Sequence, residues 1–222
     1  MNPINAIKKY VQWLKSKLGT RVAEPEEVLY EYKIEENKVE DDKPLLEGLD
    51  TYEQIKEVEN VRFVTEYRPD RKTMVVVDDN KGAASFITDD VIDGMGLDIN
   101  IIMFTGYQAG FLVEEVVNKL GIVVDHAILD ITLGGRRRIN GINIVYDGVD
   151  VFNILYKINN KLTYIFYTSN NMNRQLKVID NIMIKYESIT GDDMKKHILY
   201  KAGAVTFNEI RKIRTKLFGE ER

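Results

Sequence analysis

The feature that most constrains this chain is an alternation that begins at Thr73. Five short apolar runs follow one another, at residues 74–77, 100–104, 127–131, 163–167 and 198–200. Each is continuous rather than alternating, the mark of a strand covered on both faces. Between and after them lie stretches with apolar residues at helical spacing, at 83–95, 110–120, 149–158, 174–189 and 207–218. Strand and helix in strict succession predict an α/β fold, a doubly wound five-stranded parallel sheet spanning 72–222.

The first 71 residues have a different texture. Residues 1–22 carry five basic side chains (Lys8, Lys9, Lys15, Lys17, Arg21) and no acid. Ile4, Ile7, Val11, Leu14 and Leu18 fall on one stripe of a helix, and Gly19 is a stop signal. Such a basic amphipathic helix lies on an anionic membrane, docks into a partner, or packs on its own domain or on a second copy. The last reading is preferred, so the chain is expected to have an N-terminal helical extension. Residues 24–60 hold fourteen acids against four lysines, and 23–71 is expected to be an acidic linker, partly disordered. Some helix is expected near residues 51–59, where Thr51 and Gln54 have the spacing of a capping box.

Composition removes several kinds of chemistry. With no Cys and only His126 and His197, thiolate nucleophiles, disulfides and His-rich zinc sites are excluded. The net charge of −4 gives no basic excess for nucleic acid, so no direct contact with it is expected. No run approaches the roughly 18 apolar residues of a membrane helix. A cytoplasmic location is expected.

In an open parallel sheet the site lies beyond the carboxyl ends of the strands. The first run ends in Asp78-Asp79-Asn80, the third contains Asp130, the fourth ends in Thr168-Ser169 and the fifth runs into Lys201. Three carboxylates, a hydroxyl and an ammonium therefore converge on one edge. Clustered carboxylates need a counter-ion, and a hard divalent cation such as Mg²⁺ suits them. A carboxylate beside Mg²⁺ can attack phosphorus and form an acyl phosphate. Each residue also has a plainer reading: Asp78 or Asp79 as a helix cap, Thr168 as a β-branched strand residue, Lys201 as a solvated strand end.

This set, in this order, resembles the receiver domains of two-component response regulators. The resemblance covers about 150 residues, from Lys72 onward. It implies Asp130 as phosphoacceptor, Asp78 and Asp79 as Mg²⁺ ligands with Asp130 and the carbonyl of Thr132, and Thr168 and Lys201 as sensors of the phosphoryl group. It also implies a histidine kinase or phosphotransfer protein as donor and a downstream protein as receiver of the signal. The chain would be a phosphoacceptor that catalyses its own phosphorylation and dephosphorylation, and not an enzyme with a separate substrate.

The pattern departs from the family in places. Gly134 stands where the family has Pro, and the loop through Gly141, with Arg136-Arg137-Arg138, looks about three residues longer. That Arg triplet either attracts a phosphorylated donor or is a charged loop. Ala202 replaces a second Pro, and Ile198 occupies the place of the family's switching aromatic. The helix at 174–189 puts Leu176, Ile179, Met183 and Tyr186 on one face, as core or as a signalling or dimer surface, with core preferred. No DNA-binding output domain is expected after the last helix. The alternative is a pseudo-receiver, a scaffold not regulated by phosphorylation. A haloacid-dehalogenase-type phosphohydrolase is disfavoured, because its Asp-x-Asp pattern is missing.

Overall fold

A strand buried on both faces must send successive side chains into two different cores, and these strands do so. The computed structural model describes residues 42–92, 97–169, 176–201 and 207–219. The expectations for residues 1–22, and for the linker up to residue 41, lie outside the described residues. In chain order the elements are α1 (Tyr52–Ile55), β1 (Val61–Phe63), β2 (Thr73–Val77), α2 (Lys81–Ser85, extended by π-helical turns over Phe86–Ile92), β3 (Asn100–Phe104) and α3 (Ala109–Leu120). Then come β4 (His126–Leu129), β5 (Arg136–Ile139), β6 (Ile142–Val145), α4 (Gly148–Ile158), β7 (Thr163–Ser169), α5 (Leu176–Thr190), a 3₁₀ turn at Met194–His197, β8 (Ile198–Lys201) and α6 (Phe207–Phe218).

The main sheet has the order β1-β3-β2-β4-β7-β8, parallel throughout except for β1, which runs antiparallel to β3. Alternate residues face opposite layers. Val75, Val77, Ala127 and Leu129 pack with α3, α4 and α5, while Met74, Val76 and Ile128 pack with α2 and α6. The doubly wound α/β reading is therefore borne out, with six strands in place of five.

The sixth strand corrects the expected boundary. Leu46, Ile55 and Val61 are buried at 0%, 0% and 3% exposure in the core that also holds Phe104 and Val113. From Asp42 onward the acidic segment belongs to the folded unit. Its charges point outward while its few apolar residues find the sheet. Thr51 does cap α1, accepting from Gln54 N–H, with the reciprocal contact of a capping box.

A second correction concerns the loop after Asp130. It contains a hairpin, β5 and β6, joined by the two-residue turn Asn140–Gly141 at φ 53° and 75°. Both residues sit in the left-handed region, as a type I′ turn requires. Arg137 is buried here: its guanidinium bonds Glu115 Oε1 at 2.6 Å and the carbonyl of Lys43 at 2.5 Å. Arg137 thus braces the N-terminal segment and does not face a donor, whereas Arg136 is exposed. On α5, Tyr186 is fully buried and Met183 packs on the core, which bears out the core reading for that face; Leu176 and Ile179 lie outside the described side chains. No helix among the described residues is long and apolar enough to cross a membrane.

Candidate functional site

The register of the sheet dictates the site. Val76 pairs with Ile128 and Val77 with Leu129, so the next residues, Asp78 and Asp130, emerge side by side where β2 and β4 end. The Asp130 N–H still donates to the carbonyl of Val77 at 2.8 Å, which fixes that relationship. On the far side, Thr168 pairs with Tyr200 and Ser169 with Lys201, so β7 and β8 end at the same level.

The structure brings the predicted carboxylates together. One oxygen each from Asp78, Asp79 and Asp130 lies within 4.8 Å of the others. The Lys201 ammonium reaches between two of them, 2.5 Å from Asp78 Oδ2 and 3.4 Å from Asp130 Oδ2. Asp78 is 1% exposed, Asp130 8% and Thr168 7%, while Asp79 is open to solvent. Thr132 is exposed, two residues beyond Asp130 in the same loop.

The plainer reading of the acidic pair is settled by Asn80. Its side chain caps α2, accepting from Gly82 N–H at 2.9 Å and Ala83 N–H at 3.1 Å. This starts the helix two residues earlier than its apolar spacing indicated, and no aspartate serves as its cap. Asp78 Oδ1 instead accepts from Asn80 N–H at 2.9 Å.

Electrostatics follow from this packing. Burial, and then the charge of Asp130, push the Asp78 carboxyl up to about 6, against the pull of Lys201. The same two causes raise Asp79, opposed by Lys201 and the Gly134 N–H. One ammonium against three ionised carboxylates leaves two negative charges, which one divalent cation would balance. Asp130 Oδ1 is buried and has no hydrogen-bond partner. A buried, unsatisfied carboxylate oxygen beside two further acids fits a hard cation. Oxygens on opposite sides of Mg²⁺ lie about 4.2 Å apart, so the cluster would close slightly or bind one ligand through water.

Several contributors escaped the sequence reading. Gly148, at the start of α4, donates its N–H to the carbonyl of Ile131 at 2.9 Å, and a Cβ there would collide with the Asp130 carbonyl. The glycine closing the acceptor loop is thus Gly148, beyond the hairpin, and not Gly141. Gly135 likewise lies against the backbone of Tyr107, whose exposed ring sits beside Gly134. The Asp147-Gly148 step before an apolar helical stretch was the available signal. Ile198 is half-buried against the core, and Tyr200 is 39% exposed. Ala202 lies outside the described residues.

Comparison with solved structures gives a consistent set. The chain is similar to receiver domains of response regulators. One is a response regulator from Burkholderia pseudomallei with a phosphorylated aspartic acid, calcium and citrate, at 13% identity over 66% of each chain and a TM-score of 0.40. Another is a receiver protein from Sinorhizobium medicae, at 13% identity over 67% of this chain and 92% of that one, with a TM-score of 0.43. A third is the CheX–CheY–BeF₃–Mg²⁺ complex from Borrelia burgdorferi, at 16% identity over 66% of this chain and 89% of that one, with a TM-score of 0.41. No protein-family model matches the chain, and no curated protein matches it.

Proposed function

We propose that the chain is a two-component receiver that takes a phosphoryl group on Asp130 from a phosphohistidine donor. The observation that carries this reading is Asp130 itself: a buried carboxylate oxygen without a partner, among two further acids and a lysine. In the transfer, an Asp130 oxygen forms a bond to phosphorus as the donor's N–P bond breaks, and the imidazole leaves with the bonding pair and takes up a proton. Asp78, Asp79, Asp130 and the Thr132 carbonyl would hold Mg²⁺, which neutralises charge on the transferring oxygens. Lys201 moves from Asp78 to one phosphoryl oxygen, and Thr168 donates its hydroxyl to another. The new charge shifts a two-state equilibrium that a downstream protein reads. A histidine kinase or phosphotransfer protein in the cytoplasm would supply the group.

The test is intact mass after incubation with acetyl phosphate and Mg²⁺. Wild type gains one phosphoryl mass, and the gain vanishes in Asp130→Asn and with chelator. One observation favours the second reading, a pseudo-receiver scaffold: Lys201 pairs with Asp78 at 2.5 Å, so part of the acidic charge is balanced from within the chain. If neither acetyl phosphate nor beryllofluoride with Mg²⁺ is bound, that scaffold is the better account.

A further inference from the structure

Among the described residues the hairpin has one occupied edge and one open edge. Its turn fixes the pairs Ile139–Ile142 and Arg137–Ile144. In a two-residue hairpin these are the pairs that exchange N–H and C=O bonds, so Arg138 on β5, and Asn143 and Val145 on β6, turn theirs outward. The β5 side bears this out: Asp42 N–H donates to the Arg138 carbonyl at 2.9 Å, and Arg138 N–H donates to Asp42 Oδ2 at 2.8 Å. Among the described residues β6 pairs with β5 alone. Its outward groups belong to a strand whose Ile142 is 65% exposed and whose Val145 is 51% exposed.

That edge leads into a cavity. A space of about 320 Å³ opens at Val145, between the hairpin, the loop after Asp130 and α5. Ile131, Leu133, Val145 and Ile182 give it an apolar lining. The two charged groups that line it, Asp147 and Lys185, pair with each other at 3.4 Å. The cavity therefore suits an uncharged side chain. The flanks differ: from Ile131 to Tyr146 there are three arginines and no acid. Glu115 neutralises Arg137, while Arg136 stays exposed.

The geometry points to β6 as a docking edge for an extended segment of a partner protein. The segment adds a strand to the hairpin through the outward groups of Asn143 and Val145. It seats one large aliphatic or aromatic side chain in the cavity and sets an acidic residue near Arg136. Main-chain bonds supply affinity in this mode and the side-chain pocket supplies selectivity. An unpaired, β-branched edge otherwise invites unwanted association, so its occupation by a cognate strand also answers a hazard. The inference goes beyond phosphoryl acceptance and stands or falls separately from it.

The experiment uses the full chain and a phage-displayed library of random linear decapeptides. Panning should enrich β-prone sequences with one large apolar residue and a neighbouring Asp or Glu. The leading peptide, labelled with fluorescein, is then titrated by anisotropy. Val145→Pro removes an outward N–H but no bond to β5, and Asn181→Trp fills the cavity from an exposed position on α5. Each should weaken binding at least tenfold with an unchanged far-ultraviolet spectrum, and added salt should weaken it further. The proposal is overturned if no sequence is enriched, or if the leading peptide binds both variants as it binds wild type. It is also overturned if the edge is used by a second copy, seen as a dimer that Val145→Pro dissociates while no peptide competes.

Discussion

Lys201 Nζ lies 2.5 Å from Asp78 Oδ2, and the side chain of Asp78 is 2% exposed. Removing the ammonium in Lys201→Met leaves a buried carboxylate beside Asp130 with nothing to balance it. We expect a loss on the order of 3 kcal/mol in urea unfolding without divalent cations. Mg²⁺ should restore more stability to this variant than it adds to wild type. A loss below about 1 kcal/mol would mean that the pair contributes little.

Burial depresses the imidazoles of His126 and His197 below their ordinary value. Such a group binds fewer protons folded than unfolded, so stability is lost as pH falls through about 6.5. Asp78, raised to about 6, works in the opposite sense, because the folded state holds its proton longer. The readout is therefore a difference between proteins. His126→Gln should lose less stability than wild type between about pH 7.5 and about pH 5.5. Parallel curves would refute the role of His126.

Gly148 packs directly on the carbonyl of the proposed acceptor. Gly148→Ala must displace the Asp130 backbone, at a stability cost of about 1–3 kcal/mol. Phosphoryl uptake should slow at least tenfold under conditions where the variant is still folded. Unchanged uptake would show that the acceptor loop tolerates the shift.

Glu115 accepts Leu45 N–H at 2.9 Å, Leu46 N–H at 2.8 Å and the Arg137 guanidinium at 2.6 Å. Glu115→Ala strands all three donors, and about 3–5 kcal/mol should be lost. Limited proteolysis should then cut first between residues 42 and 49. Resistance there equal to wild type would sink this assignment.

How far the sequence could be read depended on whether a residue's partner lay nearby in the chain. The strands at 73–77 and 126–129 and the acids beyond them were legible, because an apolar run ending in Asp is a local pattern. The convergence of Asp78, Asp130 and Lys201 was legible too, since parallel topology fixes which strand ends meet. The burial of Leu46 was not, because its anchor is Glu115, 69 residues away. A run of acids was read as solvated linker when only its apolar minority decides the fold. The hairpin has a local signal in Asn140-Gly141, flanked by Ile139 and by the β-branched run from Ile142, but the arginines before it mask the strand pattern. The arginine triplet reads as surface charge, whereas the left-handed backbone at Asn140 and Gly141 is what decides the local structure.

The short antiparallel strand β1 carries a practical consequence for anyone dividing this gene. It covers the outer edge of β3, pairing Val61 with Phe104 and Phe63 with Ile102. A fragment begun at Lys72, where the strand–helix alternation starts, would expose that edge. It would also discard Leu46, Ile55 and Val61, each worth about 2 kcal/mol of burial. Such a fragment would keep every residue of the proposed site and still be prone to aggregate, because the smallest piece holding the chemistry is not the smallest piece that folds.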